Sequence, residues 1–209
     1  MTARVAVLVS GGGTNLQALL DAAARGQLPH GEISLVVSDR PDAYALRRAQ
    51  AAGVETAVVT KPHLADQLRR LLTGRVDVIV LAGFLSILPA EFTDQWENRI
   101  LNIHPSLIPS FCGEGMYGLR VHEQALRRGV KVTGATVHFV NGVCDGGPIV
   151  AQKAVPVLPG DTPETLQRRV MEQAEWVLLP QATEQVCAMV CAAGETETRN
   201  IREGGNYGV

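Results

Sequence analysis

The stretch R-V-A-V-L-V-S-G-G-G-T-N-L-Q, from Arg4 to Gln17, decides how the rest of the chain is read. Arg4 to Val9 is a short apolar, β-branched run that ends in Ser10-Gly11-Gly12-Gly13-Thr14-Asn15, after which Leu16, Leu19 and Leu20 recur at helical spacing. The pattern is strand, glycine loop, helix. Outward from it, Ile33 to Val37 repeats the strand signal, Tyr44 to Ala52 is an alanine-rich helix closed by Gly53, and Val54 to Val59 is strand-like again. Leu64 to Leu72 predicts a helix and Val76 to Ala82 a strand. In V-D-V-I-V-L-A the hydrophobicity is continuous rather than alternating, as expected of a strand covered on both faces in a parallel sheet with crossover helices. The prediction is an α/β fold: a doubly wound, mostly parallel sheet with helices on both faces.

The pattern changes near Ile100. Ile100 to Ile103 is a brief strand interrupted by Asn102, His104 and Pro105, and the stretch to Leu119 carries prolines and glycines with little periodicity. Long irregular segments inside compact domains are usually functional. A helix follows from Val121 to Arg128, then two strands, Val130 to Val140 and Ile149 to Val157, separated by the turn-forming Asp145-Gly146-Gly147-Pro148. Asp161-Thr162-Pro163-Glu164 opens the last long helix with a cap, an N1 proline and a first-turn acid. Without repeat or linker, the chain predicts one domain over 1–193 with a small second lobe. Residues 1–100 form its N-terminal half and 101–193 its C-terminal half, followed by a frayed polar tail over 194–209.

Composition narrows the function. With 46% hydrophobic and 19% charged residues among 209, disordered and low-complexity classes are excluded. Lys+Arg 19 against Asp+Glu 21 gives a net charge of -2, so neither nucleic acid nor a membrane is an expected partner, and any anion must be bound locally. The apolar run Arg4 to Val9 is far too short for a span and meets glycines rather than a cleavage site, which predicts a cytoplasmic protein. Cys112, Cys144, Cys187 and Cys191 are irregularly spaced with no C-x-x-C pair, so reduced thiols are expected.

A strand that ends in glycines and feeds a helix presents free backbone N–H groups at the positive end of the helix dipole, which suits a phosphate; a tight turn explains the same residues. Thr14 and Asn15 add side-chain donors. The dinucleotide fingerprint needs a third glycine where Leu16 stands, although Asp39 lies near the expected acid, and a nucleoside-triphosphate loop needs a lysine that is missing. Ligands of open parallel sheets collect at the carboxyl ends of strands, where Ser10, Gly83 and Asn102 all fall. His104, two residues beyond Asn102, shares its strand face. For His138, on one face with Thr136, a structural polar contact fits as well as a site role, and Asp145 fits a turn former equally. The five histidines show no metal-binding spacing, so no metal is expected, and nothing beyond nearby glycines marks Cys112 as a nucleophile.

Together S-G-G-G-T-N-L-Q, V-L-A-G-F-L-S-I-L, N-I-H-P-S-L-I-P-S-F, T-V-H-F-V and D-G-G-P-I-V-A-Q, in this order from Arg4 to about Ala193, resemble the phosphoribosylglycinamide formyltransferases. The resemblance implies the formyltransferase fold, transfer of a formyl group from 10-formyltetrahydrofolate to glycinamide ribonucleotide in purine synthesis, and a monomer or homodimer. It implies a phosphate loop at Gly12, Gly13, Thr14 and Asn15, a ribose-binding carboxylate at Glu175, and a catalytic trio of Asn102, His104 and Asp145. Thr136 and His138 fall on supporting positions. The folate-binding positions are Leu85, Ser86, Ile87, Leu88, Asn102, and the loop from Asn141 through Cys144 to Asp145. Ser86 replaces an arginine common in the family, no ligand role is assigned around Lys61-Pro62-His63, and F-C-G-E-G-M-Y-G replaces a shorter loop. The implied mechanism has Asn102 and His104 stabilise the developing oxyanion while Asp145 keeps His104 charged near neutral pH. Related enzymes acting on methionyl-tRNA, on sugar amines or hydrolysing the folate are the rivals. The first would be expected to carry an added C-terminal domain and the last an added N-terminal one. A nucleotide-phosphate binding protein is the rival from another class, needing the loop but not the trio.

Overall fold

A computed structural model of the chain describes residues 2–204, with side chains to residue 196. Seven strands form one sheet in the order β3-β2-β1-β4-β5-β6-β7. Ala3–Val9 (β1), Gly31–Ser38 (β2), Glu55–Val58 (β3), Val78–Leu81 (β4) and Ile100–His104 (β5) are parallel; Val132–Phe139 (β6) and Ile149–Pro156 (β7) are antiparallel. These last two strands extend the same sheet rather than building the small second lobe expected from the sequence. The connecting helices are Thr14–Ala24 (α1), Tyr44–Ala51 (α2), Leu64–Leu72 (α3), the short Ala90–Thr93 (α4) and Leu119–Arg128 (α5).

The continuous run in β4 serves two cores. Val78 and Val80 pack with the leucines of α1, while Ile79 and Leu81 on the opposite face pack with Leu64, Leu68 and Leu72 of α3 and with Phe92 of α4. Alternate side chains leave a strand on opposite faces, so a strand apolar at every position needs helices on both sides.

The expected single C-terminal helix is three pieces: Pro163–Val170 (α6), a π-helical turn Met171–Glu175, and Trp176–Gly204 (α7). Thr162 caps α6 reciprocally with Thr165, and Asp161 holds Arg169 through two bonds of 2.5 and 2.7 Å, with both side chains largely buried. The cap read from Asp161-Thr162-Pro163-Glu164 is thus present. Residues 194–204 of the expected polar tail are helical, and 205–209 lie outside the described residues. Among the described residues no helix is long and apolar enough to cross a membrane.

Strand order reverses between β1 and β4, and the crevice at such a switch point is where open α/β sheets bind ligands. Here the crevice is stitched at its base. Ser10 N–H donates to Gly83 O (3.1 Å), and the Ser10 hydroxyl accepts from Leu85 N–H (2.8 Å).

Candidate active site

The first wall of the crevice is the glycine loop. Gly13 caps α1 in the left-handed region (φ 72), and a Cβ there would lie 2.6 Å from Ala45 Cβ, so only glycine lets α2 pack this close. Gly11 O accepts from Ala45 N–H, and Arg48 Nε donates to Gly12 O (2.8 Å) while its guanidinium lies over the Tyr44 ring. Those bonds fix the loop's carbonyls outward from the crevice. The backbone N–H groups of Gly12, Gly13, Thr14 and Asn15 hydrogen-bond to no described residue, which leaves a cluster of donors at a helix N-terminus. Arg48 had no local signal in the sequence as a support for this loop.

Glu175 approaches the same loop from the π turn. Asn15 Nδ2 donates to Glu175 Oε2 (2.7 Å), so the Asn15 side chain is engaged by protein rather than open for an anion, and Thr14 Oγ1 reaches only Met171 Sδ at 4.0 Å among the described residues. Burial pushes the Glu175 carboxyl up to about 7, although the Asn15 amide pulls it down. A π turn is a frequent device at functional sites, and here it carries Glu175 onto the α1 side.

The opposite wall is built by strand pairing. Antiparallel β5 and β6 place Asn102 opposite His138 and His104 opposite Thr136. His138 Nδ1–H donates to its neighbour's carbonyl, Phe139 O (2.8 Å), and Nε2 accepts from Asn102 Nδ2 (3.1 Å). Thr136 Oγ1 donates to Ser106 O (2.6 Å) and accepts from Ile108 N–H and from Gln152 Nε2, so it clamps the segment that follows His104. Gln152, which closes the D-G-G-P-I-V-A-Q stretch but had no role of its own in the sequence reading, braces that clamp from β7 and also donates to Ile108 O.

Asp145 arrives on the turn between β6 and β7. A Cβ on Gly147 would run into Phe139 O, so the D-G-G turn can fold this tightly only with glycine there. Asp145 itself is left-handed (φ 53), a conformation that costs a non-glycine residue about 1–2 kcal/mol. Its carboxylate lies 3.5 Å from His104 Nδ1, 3.5 Å from Asn102 Nδ2 and 3.5 Å from His138 Nε2. These separations exceed a good direct hydrogen bond. Among the described residues the one tight bond to Asp145 comes from Gly113 N–H, at 2.8 Å. Burial raises the Asp145 carboxyl while the Gly113 N–H it accepts pulls it down, and the net effect holds its pKa below the ordinary value.

His104 is 4% exposed, and its Nε2–H donates to Phe111 O (2.8 Å). A carbonyl only accepts, so the ring proton is fixed on Nε2, and Nδ1 faces Asp145 with its lone pair. Burial lowers the His104 pKa more than Asp145 and the Phe111 carbonyl raise it. The charged His104 expected from the sequence is therefore corrected to a neutral imidazole near pH 7, because desolvation wins over one carboxylate at 3.5 Å. One strap, Phe111 to Gly113, holds both His104 and Asp145, and Phe111 too is left-handed (φ 50).

The segment after β4 closes the crevice. Leu85 and Ile87 are exposed and Leu88 is buried, while the backbone groups of Ser86, Ile87 and Leu88 bond to no described residue. Across from them lies the loop of Asn141 and the exposed Cys144, with Val143 N–H held by Asn141 Oδ1. Two neighbouring apolar side chains with open backbone groups suit the edge of a flat heterocycle.

A family model described as formyl transferase matches residues 3–183. The chain belongs to the formyl transferase family. Within it, a phosphoribosylglycinamide formyltransferase of Haemophilus influenzae is 41% identical over 184 residues, covering 85% of this chain and 84% of that relative. The glycinamide ribonucleotide transformylase 1 structure from Symbiobacterium toebii superposes with a TM-score of 0.81 at 43% identity, covering 90% of this formyl transferase and 88% of that chain. The trifunctional purine biosynthetic protein adenosine-3 of Drosophila melanogaster is 42% identical over 181 residues, but this chain spans only 13% of its length.

Proposed function

We propose that this formyl transferase moves a formyl group from 10-formyltetrahydrofolate to the amine of glycinamide ribonucleotide, giving formylglycinamide ribonucleotide and tetrahydrofolate. One observation carries the reading: a cluster of free backbone donors suited to phosphate follows β1, and the set Asn102, His104 and Asp145 gathers at the same end of the sheet at β5, two strands away across the switch point. The names of the Haemophilus and Symbiobacterium relatives support the same substrates.

In this scheme the substrate phosphate sits on the N–H groups of Gly12, Gly13, Thr14 and Asn15, and Glu175 receives the ribose hydroxyls. Leu85 to Leu88 and the loop from Asn141 through Cys144 grip the pterin. Holding both reactants converts a bimolecular step into a near-unimolecular one. The amine nitrogen attacks the formyl carbon, and the carbonyl π pair moves onto oxygen. Asn102, its amide oriented by His138, turns an N–H to that oxygen. Neutral His104 takes the proton of the attacking amine on Nδ1, and Asp145 stabilises the imidazolium so formed. The same proton passes to the folate nitrogen as the carbon–nitrogen bond to it breaks, which returns His104 to its starting state.

Mixing the chain with both substrates and following tetrahydrofolate release tests the reading. Release that requires glycinamide ribonucleotide is expected. Formate release without it would make the chain a hydrolase, and no turnover with ligand binding intact would make it a binding module.

A further inference from the structure

The segment Leu85 to Leu88 is irregular, yet its inward side chains are anchored. Ser86 Oγ donates to Asp39 Oδ2 at 2.7 Å, and Asp39 directly follows the last residue of β2. In the sheet β1 lies between β2 and β4, so this bond reaches across the β1 exit to tie the segment leaving β4 to the end of β2. Ser10, at the β1 exit and 2% exposed, accepts from Leu85 N–H beneath it. Two adjacent residues are therefore held by two neighbouring strand ends, one through its backbone and one through its side chain. The next inward residue, Leu88, is buried against Phe92 and Trp96 of the lower core. The consequence is directional: with Ser86 and Leu88 tied inward, Leu85 (49% exposed) and Ile87 (75% exposed) are left on the outer side of the segment.

Asp39 is half-buried, and its second oxygen, Oδ1, is shielded from solvent and meets no donor among the described residues. A carboxylate oxygen buried without a partner is costly, so hydrophobic or neutral side chains would serve stability better at this place. A charge-assisted hydrogen bond from a hydroxyl is short and about twice as strong as a neutral one. What the carboxylate secures here is the position of Ser86, and with it the face that Leu85 and Ile87 present.

We propose that Asp39, acting through Ser86, is a positioning residue for the folate donor: it sets the segment that grips the pterin and leaves the phosphate loop alone. This rests on the formyl-transfer reading and deepens it, since it assigns a residue of β2's exit to selection of one of the two substrates. Neither Asp39 nor the Ser86 hydroxyl touches the reacting atoms.

The test measures tetrahydrofolate and glycinamide ribonucleotide binding separately by titration calorimetry on the full chain. The variants are Asp39→Ala, Ser86→Ala, the double variant and Ser86→Thr, and thermal unfolding is followed in parallel. The expected result is a folate Kd raised about five- to tenfold in each single variant, as the loss of one charged hydrogen bond implies. Glycinamide ribonucleotide affinity should stay within about twofold and the double variant should be no worse than either single one. Ser86→Thr, which keeps the hydroxyl, should restore folate binding. Folate binding unchanged in the single variants would overturn the assignment. So would folate and ribonucleotide affinities falling together with the unfolding temperature, which marks a merely structural bond. A wild-type chain that binds no folate would instead sink the formyl-transfer reading, and this assignment with it.

Discussion

The two walls of the crevice are held in different ways. The glycine-loop wall is local: Ser10 to Asn15 is one turn of chain whose shape follows from Gly13 and the close approach of Ala45. The wall proposed to be catalytic is assembled at long range, from Asn102 and His104 on β5, His138 on β6, the Phe111–Gly113 strap and Asp145 on the β6–β7 turn. The loop wall presents backbone donors, whose placement depends on Gly13 and the residues packed against it rather than on side chains that face the ligand. The catalytic wall depends on individual side chains whose protonation matters. Changes to the first should therefore alter affinity, and changes to the second should alter turnover.

The largest break in that contrast is expected at Asn102. Asn102→Ala removes the donor proposed to meet the developing oxyanion, and kcat should fall by about 10²–10³, with both Michaelis constants within a few-fold. Steady-state kinetics decide it; a change confined to the ribonucleotide KM would place Asn102 on the anchoring side.

Stability against pH separates two buried groups with opposite signs. His122 is 1% exposed, both its ring nitrogens lack a partner among the described residues, and burial followed by the nearby His104 lowers its pKa to about 4. Its folded pKa lies below the unfolded 6.5, so the unfolded chain binds the extra proton, and stability drops by about 3 kcal/mol as pH falls from 6.5 to 4. Denaturant titrations of His122→Leu at the two pH values should lack that loss. Glu175 runs the other way. With its pKa raised from 4.5 to about 7, the native state holds the extra proton, and its contribution is full below pH 4.5 and fades as pH rises through 7, by about 3 kcal/mol in all. Glu175→Gln should remove this fading and be relatively more stable at pH 8, while its ribonucleotide KM rises. An unchanged KM would detach Glu175 from the substrate.

A further prediction sharpens the catalytic wall. If neutral His104 is the base, the acid limb of kcat falls below the ordinary histidine value of 6.5. Asp145 raises the His104 pKa, so Asp145→Asn should move that limb to still lower pH while depressing turnover. Activity lost on the alkaline rather than the acid side of that pKa would mean that His104 works in its charged form. The smallest effect is expected at Thr14, whose hydroxyl has only a 4.0 Å sulfur contact among the described residues: Thr14→Ala should raise the ribonucleotide KM by about fivefold, the worth of about one hydrogen bond, with kcat unchanged.

What could be read from the chain follows the same division. V-D-V-I-V-L-A announced a strand between two cores because apolarity at every position has few other uses, and S-G-G-G-T-N announced its loop because glycines at a strand exit are a local signal. Asn102 and His104 on one strand face, with Thr136 and His138 on another, were each visible as pairs. That β5 and β6 set them opposite one another needed the antiparallel register. Other contributors left no trace. Phe111 works through its carbonyl and Gly113 through its N–H, groups that every residue of their kind owns, so residue type says nothing of them. Glu175, by contrast, was named through the family resemblance, but its bond to Asn15 was not: it arises because a π turn shifts the helical register, which a 3.6-residue pattern does not contain. The charge state of His104 escaped for a physical reason as well: a neighbouring carboxylate was foreseeable, but the depth of burial that outweighs it is a property of the packed structure.

The proposed reaction requires His104 to perform chemistry on substrates held by other residues. Single-turnover transfer of a labelled formyl group from 10-formyltetrahydrofolate to glycinamide ribonucleotide, in wild type and in His104→Ala, decides whether it does. Wild-type transfer is expected, with at least about a hundredfold slower transfer in the variant although both ligands bind within a few-fold of wild type. Transfer at the wild-type rate without the imidazole would refute the role given to His104.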